Sequence, residues 1–188
     1  MIDKVAGFGD MVIYEDPNLS IKGDALIELA QKFDIHYFFE TGTYAGEMIK
    51  YVSTRHKWKM INSVELSPRL AERATRLFAD MSKVCIWYGN SIDILRSNKI
   101  ISNRTLFWLD AHASGGVTAR GRKPSPIIEE LDIVVNDVDH VIVIDDIDLM
   151  PKWGIKLQQL KDFINSRKAG MCLEVRDNML ICTPEYRP

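Results

Sequence analysis

Five polar side chains close five short apolar runs, and their chemical types are those that bind ligands or move protons. They are Glu40, Glu65, Asn90, Asp110 and Asp145. In an open parallel sheet, ligands lie beyond the carboxyl ends of the strands. We therefore expect four carboxyl groups and one amide to converge on one edge of a sheet and to form a polar site there.

The first of these residues opens a segment with two glycines, 40–46, which reads Glu-Thr-Gly-Thr-Tyr-Ala-Gly. Gly42 would let the backbone turn sharply and approach a ligand, and Gly46 would allow tight packing where the next helix begins. A strand-to-helix turn without any ligand accounts for many such segments. The segment alone therefore leaves both interpretations open.

The next two strand ends each allow two interpretations. The carboxylate of Glu65 is placed to accept both hydroxyls of a ribose, or to cap a helix that begins at Pro68. Asn90, followed by Ser91, can both donate to and accept from an adenine edge, or it can cap the helix that follows. Each residue is consistent with a nucleoside ligand and with a purely structural role.

A second acidic group follows the fourth and fifth apolar runs and consists of Asp110 and the pair Asp145-Asp146. Adjacent parallel strands lie about 5 Å apart, so these carboxylates could share one divalent cation. Without a cation or protons they would repel one another. His112, two residues after Asp110, is a candidate general base or further metal ligand. Alternatively, the Asp pair caps a turn and His112 is a surface residue.

The intervening segments predict the elements that position these residues. Apolar residues recur at helical spacing between the runs, as at Leu26, Leu29, Ala30 and Phe33, which favours a parallel sheet covered by helices on both faces. Ser67-Pro68 and Ser125-Pro126 predict helix starts. The predicted strands cover 37–40, 60–65, 84–88, 105–110 and 141–145, a last helix covers about 155–166, and a terminal hairpin covers 172–175 and 179–183.

Composition bounds the remaining possibilities. A chain of 188 residues with 46% hydrophobic residues suits one α/β domain, here 1–188 with 1–35 as an N-terminal extension and helix. A formal charge of −2 gives no reason to expect nucleic acid as a partner. We find no signal peptide or membrane span and expect a cytoplasmic protein. The three cysteines, Cys85, Cys172 and Cys182, lie in apolar runs and are interpreted as buried core thiols.

The element order and the 40–46 segment resemble the class I S-adenosylmethionine-dependent methyltransferases. The resemblance implies an α/β, doubly wound, Rossmann-like fold whose seven-stranded sheet is mostly parallel with an antiparallel C-terminal strand. The 40–46 segment alone leaves a dinucleotide such as NAD and a methyl donor nearly tied. The later strand ends, the terminal hairpin and the Gly-x-x-x-Gly spacing, which differs from the Gly-x-Gly-x-x-Gly of dinucleotide sites, favour the methyl donor. The resemblance implies that S-adenosylmethionine is bound by Glu40, Thr41, Gly42, Thr43, Tyr44, Gly46, Glu65, Asn90, Ser91 and Asp110.

The second acidic group resembles that of the metal-dependent O-methyltransferases of the macrocin and catechol types. This implies magnesium held by Asp110, Asp145 and Asp146, with Asp110 and His112 as catalytic residues. A hydroxyl bound to such a cation loses its proton near neutral pH and becomes nucleophilic. The basic, glycine-rich segment 114–126 is interpreted as a mobile loop beside the acceptor or as a solvated surface loop.

The leading hypothesis is methyl transfer to an oxygen of a small hydroxyl-bearing metabolite or sugar. A metal-independent N- or protein methyltransferase, or a non-catalytic cofactor-binding module, are the alternatives. We expect a small-molecule acceptor as the partner, with no nucleic acid and no membrane. The short N-terminal region, 1–23, is too poor in apolar residues to form a full substrate-capping domain. We therefore expect either the 114–126 loop or a second copy of the chain in a homodimer to complete the acceptor pocket.

Overall fold

A computed structural model describes residues 4–8, 11–14, 17–97, 103–111 and 125–185 of the chain. Within these residues the strands are β1 Lys4–Phe8, β2 Met11–Tyr14, β3 Tyr37–Thr41, β4 Met60–Glu65, β5 Val84–Tyr88, β6 Thr105–Leu109, β7 Val141–Ile144, β8 Cys172–Arg176 and β9 Met179–Thr183. The helices are α1 Leu19–Lys32, α2 Glu47–Ser53, α3 Pro68–Leu77, α4 Ser91–Ser97, α5 Ile127–Val134 and α6 Leu157–Arg167, with a 3₁₀ turn at Met150–Trp153.

Seven of the strands form one sheet in the order β5-β4-β3-β6-β7-β9-β8, and β1 pairs with β2 in a separate two-stranded sheet. Strands β5, β4, β3, β6 and β7 pair in parallel, whereas β9 runs antiparallel to both β7 and β8. The chain order reverses between β3 and β6, which is the point where doubly wound folds bind ligands. The predicted sheet and its antiparallel C-terminal strand are confirmed.

Two hydrophobic layers cover the two faces of the sheet. In the central strand β6, Leu106 and Trp108 belong to one layer, while Phe107 and Leu109 belong to the other. The first layer is completed by helices α1, α2 and α3, and the second by α4, α5 and α6. Side chains alternate across a strand, so an uninterrupted apolar run is what a strand buried on both faces requires.

The predicted helix starts are close to those observed. Ser67 is the N-cap of α3 with Pro68 behind it, and its hydroxyl accepts a hydrogen bond from the backbone N–H of Leu70 at 3.5 Å. Helix α5 begins one residue later than predicted, with Pro126 as its cap. Ser125 still contributes, because its hydroxyl accepts from the N–H of Ile127 at 3.4 Å. In the described part of the chain, no helix is long and apolar enough to cross a lipid bilayer.

The interpretation of all three cysteines as buried core thiols is wrong for two of them. Only Cys182 is buried, whereas Cys85 is half-buried and Cys172 is exposed. The physical reason lies in the sheet order: Cys182 is in the inner strand β9, while Cys85 and Cys172 are in β5 and β8, the two edge strands. An apolar run in an edge strand has fewer neighbours to cover it.

Candidate active site

The predicted convergence of strand ends occurs at the reversal point of the sheet. Hydrogen bonding continues one step past the strands, because the N–H of Asp110 donates to the carbonyl of Thr41 and the N–H of Asp145 donates to the carbonyl of Leu109, both at 3.1 Å. Similarly, the N–H of Gly89 donates to the carbonyl of Glu65 at 3.0 Å. The residues that follow the parallel strands therefore share one edge, as expected from their positions in the sequence.

The glycine-containing turn after β3 is shaped by close packing. Gly42 has a φ of +89°, and a Cβ at this residue would lie 2.7 Å from the backbone carbonyl oxygen of Asp110. Gly46, with a φ of +78°, precedes α2, and a Cβ there would lie 2.7 Å from the ring of Phe78. The predicted packing role of Gly46 is thus observed. At Gly42, the close approach is to the chain's own β6 end, while its contact with a cofactor stays a prediction.

Glu65 ends β4 with both carboxylate oxygens held by backbone. The N–H of Tyr44 donates to Oε2 and the N–H of Ser67 donates to Oε1, each at 2.8 Å. The first bond fixes the glycine-containing turn, where Tyr44 has a φ of +47°, and the second lies at the start of α3. A carboxylate oxygen has two acceptor sites, so each oxygen keeps one for a further donor.

Glu40 is buried beneath the same turn and takes part in a chain of hydroxyl groups. Ser63 donates a hydrogen bond to Oε2 of Glu40, and the hydroxyls of Thr43 and Ser63 share a hydrogen bond of 2.6 Å. Burial raises the pKa of Glu40 well above its usual range. The Ser63 hydrogen bond lowers the pKa, while the charges of Asp110 and Glu65 raise it further. Glu40 therefore retains its proton to a higher pH than an exposed glutamate does.

Asn90 and Ser91 begin helix α4 at the end of β5. The side-chain oxygen of Asn90 accepts from the N–H of Ile92 at 2.9 Å, which is the capping role considered for it. Its amide nitrogen remains a possible donor toward a ligand. Ser91 is buried. Capping and cofactor contact are compatible for Asn90, and the contact stays a prediction.

The three predicted metal ligands, Asp110, Asp145 and Asp146, are brought together. One carboxylate oxygen from each lies within 4.8 Å of the others. Asp145 is buried and the other two are partly exposed. Asp146 has a φ of +47°, a conformation that a turn immediately after β7 imposes. The spacing of Asp110 and the Asp pair was therefore predicted correctly from the strand order.

A lysine from the other end of the chain is bound to this cluster. Nζ of Lys22, in helix α1, lies 2.8 Å from Oδ2 of Asp145 and 3.2 Å from Oδ1 of Asp146. Lys22 is only 3% exposed, so its ammonium is buried between the two carboxylates. Sequence analysis missed this residue. Its signal was present, since Lys22 precedes Leu26 and Leu29 at helical spacing and so falls on the apolar face of α1.

Asp145 is the most constrained member of the cluster. Burial, with the charges of Asp110 and Asp146 as smaller causes, raises the pKa of Asp145, while the adjacent Lys22 ammonium lowers it and favours the charged carboxylate. Its second oxygen, Oδ1, is buried and has no hydrogen-bond partner among the described residues. A buried carboxylate oxygen without a donor is costly. The atom is therefore a candidate contact for a ligand at this edge.

Glu130, in α5, is a second functional candidate that sequence analysis missed. It is buried, and its Oε2 accepts from the hydroxyl of Thr41 at 3.4 Å. Its Oε1 is buried without a hydrogen-bond partner among the described residues. Burial raises its pKa from the ordinary 4.5 to about 7, while the hydroxyls of Ser91 and Thr41 lower it and Asp110 raises it. Like Lys22, it is a charged residue on the apolar face of its helix, between Ile127 and Val134.

We expect replacement of Glu130 by glutamine to change how stability depends on pH. Because the pKa is raised in the folded protein, the unfolded chain loses this proton first, and stability falls as pH rises from about 4.5 through about 7. The shift corresponds to about 3 kcal/mol of unfolding free energy. Glu130→Gln removes this loss of stability. In urea denaturation, the free energy of unfolding of the variant should therefore exceed that of the parent chain by more at pH 8 than at pH 5.

The matched control is Glu72→Gln, since Glu72 is exposed on α3 and is paired only with the neighbouring Arg76 among its described contacts. Its stability should follow the parent chain at both pH values. Parallel pH curves for the parent and Glu130→Gln would contradict a raised pKa at Glu130.

The terminal hairpin braces the acidic cluster. Its two-residue loop, Asp177-Asn178, has φ values of +50° and +61°, as a type I′ turn requires. The side-chain nitrogen of Asn178 donates to Asp146 Oδ1 at 3.3 Å and to Asp148 Oδ1 at 2.7 Å. The side-chain oxygen of Asn178 in turn accepts from the N–H of Asp148 at 3.0 Å. The loop that carries Asp146 is thus fixed by the hairpin tip.

Two predictions fall on residues that the structure does not describe. His112 and the basic part of the predicted mobile loop, residues 114–124, lie outside the described residues. The catalytic role predicted for His112 stays a prediction.

Comparison with known proteins identifies the fold. No protein-family model matches the chain, and no curated protein sequence matches it. Among solved structures, the SAH-bound methyltransferase PaMTH1 of Podospora anserina has a TM-score of 0.62 at 15% identity, covering 88% of this chain and 78% of its own. The SAM complex of the O-methyltransferase TomG of Streptomyces achromogenes has a TM-score of 0.58 at 16% identity, covering 94% of each chain.

The N-methyltransferase NodS of Bradyrhizobium japonicum WM9 is also similar, with a TM-score of 0.56 at 14% identity over 91% of this chain and 99% of NodS. The fold is therefore shared by proteins described as O- and as N-methyltransferases. At these identities the similarity establishes the fold, and the chemistry has to be argued from the site.

Proposed function

With the fold of the class I methyltransferases as the premise, we propose that this protein binds S-adenosylmethionine and transfers its methyl group to an oxygen of a small molecule. The observation that carries the proposal is the carboxylate of Glu65. It lies at the end of β4, beside the reversal point, with each oxygen fixed by a backbone N–H at 2.8 Å. A fixed carboxylate with one acceptor site left on each oxygen suits two adjacent ribose hydroxyls.

The donor groups at this edge are of the types that the cofactor needs. Glu65 would hold the ribose, and Asn90 would offer its amide nitrogen to adenine. The backbone of the 40–46 turn, with Glu40 and Asp110 beside it, would hold the methionine part. When bound, S-adenosylmethionine supplies an electrophilic methyl group. The contribution of the chain is to orient this group and the acceptor toward each other.

The acceptor is assigned to the edge formed by Asp110, Asp145 and Asp146. These carboxylates lie beyond β6 and β7, next to the proposed methionine end of the cofactor site. Asp145 Oδ1 is buried and has no hydrogen-bond donor among the described residues, and a hydroxyl of the methyl acceptor would donate to it. We therefore propose a hydroxyl-bearing small molecule, held by hydrogen bonds to this cluster.

The divalent cation expected from the sequence is a separate question. Oxygen spacing in the cluster suits such an ion, which would lower the pKa of a bound hydroxyl. However, Lys22 Nζ contacts both Asp145 and Asp146, so a divalent cation held by these two carboxylates would have to displace the ammonium. The ion does not fit the cluster while the ammonium is bound there. The magnesium requirement remains a prediction from the sequence.

Lys22 is also the observation that favours the second candidate, a metal-independent transfer. With an ammonium already between the carboxylates, the cluster could equally receive a nitrogen acceptor. Parallel activity measurements on hydroxyl-bearing and amine-bearing acceptors separate the two candidates, and adding a chelator tests the magnesium requirement separately. The cofactor assignment can be tested before that.

Titration calorimetry with S-adenosylhomocysteine is the direct test of the cofactor assignment. We expect saturable binding with one site per chain, and no detectable binding of NAD at about 1 mM. S-adenosylhomocysteine is the better ligand for this purpose because it cannot react during the titration. Absence of its binding at about 1 mM would refute the proposed function.

A further inference from the structure

The cluster of Asp110, Asp145 and Asp146 already contains a cation supplied by the chain. Lys22 and Asp145 are separated by 123 residues in the sequence, and both side chains are buried where they meet. Removing an ammonium from water costs several kcal/mol unless it is closely paired. The neighbouring carboxylates of Asp145 and Asp146 therefore offset the cost of burying the Lys22 ammonium.

The position of the ammonium is as informative as its charge. Nζ contacts one oxygen of Asp145 and one of Asp146, at 2.8 and 3.2 Å. A divalent cation held by the same two carboxylates would have to compete with this ammonium. The contact leaves Oδ1 of Asp145 without a partner among the described residues and fixes the orientation of that carboxylate.

We propose that the buried ammonium of Lys22 is the resident cation of the acidic cluster and occupies the position of a divalent ion, so that the acceptor is oriented by carboxylates without bound metal. Lys22 is then a positioning residue that acts through Asp145 and Asp146. The inference rests on the proposed function only for the identity of the acceptor. The occupancy of the cluster by lysine in place of metal is testable without cofactor or acceptor.

The test is the binding of Mn²⁺ to the full chain, measured by calorimetry or by the paramagnetic resonance of the free ion. We expect no saturable site in the parent chain up to about 1 mM. In Lys22→Met, which keeps the length of the side chain and removes its charge, Asp145 and Asp146 lose their shared ammonium, while Asn178 still donates to Asp146. Mn²⁺ should then bind at least about tenfold more tightly and should raise the melting temperature of this variant only.

Three further variants distinguish occupancy from a merely structural ion pair. Lys22→Arg keeps a cation and should resemble the parent chain. Lys22→Met combined with Asp146→Asn removes one ligand and should lose the gained site. Lys50→Met, at an exposed position of α2, is the control for loss of a surface lysine. A structural role alone would lower the stability of Lys22→Met without creating a metal site.

Tight Mn²⁺ binding by the parent chain, with no gain in Lys22→Met, would overturn the inference. If Lys22→Met is unfolded, refolding on addition of Mn²⁺ supports the inference. If Lys22→Met stays unfolded in the presence of Mn²⁺, the parent chain and Lys22→Arg decide the outcome. Tight Mn²⁺ binding by either of these two proteins overturns the inference, and weak Mn²⁺ binding by both supports it. Failure of the proposed function would appear separately, as absent binding of S-adenosylhomocysteine.

Discussion

Replacement of Glu65 by alanine is expected to weaken the binding of S-adenosylhomocysteine by at least about a hundredfold. The reason is that two hydrogen bonds to a charged acceptor are lost, each contributing about 1.5–3 kcal/mol. The same substitution leaves the N–H groups of Tyr44 and Ser67 without their acceptor, which loosens the glycine-containing turn. Calorimetry with the folded variant measures the loss directly.

Two controls separate the cofactor contact from damage to the turn. Glu65→Gln keeps one acceptor oxygen and the shape of the side chain, so it should lose less affinity than the alanine variant. Glu72→Ala removes an exposed glutamate of α3 and should leave affinity unchanged, because surface ion pairs contribute little. Equal affinities of the parent chain and Glu65→Ala would exclude the ribose role.

The substitution Gly42→Ala should lower the free energy of unfolding by about 3 kcal/mol. A φ of +89° strains any residue with a side chain, and the added Cβ would lie 2.7 Å from the carbonyl oxygen of Asp110. That oxygen belongs to backbone that is hydrogen-bonded within the sheet edge, so it cannot move cheaply. Urea denaturation measures the change.

Gly154→Ala is the matched control for this effect. Gly154 has a similar φ of +75°, but no atom of the described residues lies within 4 Å of an added Cβ. Its substitution should therefore show the conformational cost alone, about 1 kcal/mol. If both variants are destabilised equally, close packing between the turn and β6 has no measurable energetic role.

The seven strands of the main sheet, their order along the chain and the shared edge at the carboxyl ends of the parallel strands could be predicted from the sequence. Strands β1 and β2 were not predicted, because residues 1–35 were interpreted as an N-terminal extension and helix. Prediction succeeded there because a buried parallel strand needs an uninterrupted apolar run. A polar residue that directly follows such a run lies at the edge of the sheet where the carboxyl ends of the parallel strands meet. Asp110 and Asp145 were placed correctly on these grounds. The terminal hairpin was predicted from its turn residues for the same local reason.

Lys22 and Glu130 could not be placed in this way, because their roles depend on distant partners. Helical spacing assigns each to the apolar face of its helix, but a charged residue there has no interpretation until its partner is known. The partner of Lys22 is 123 residues away, and that of Glu130 is 89 residues away. The general signal is a charged residue within an apolar helical stripe, which indicates a buried electrostatic contact.

The position of β9 between β7 and β8 bears on how the protein is made on the ribosome. Strand β7 and its acidic end are synthesised well before β9, so one edge of β7 has no strand to pair with until residues near Thr183 have emerged. Likewise, the hydrogen bond from Asn178 to Asp146 can form only after Asn178 has been synthesised. Ribosome-bound chains that end before the hairpin should therefore carry a nearly complete sheet with an open edge, the species most exposed to premature association in the cell.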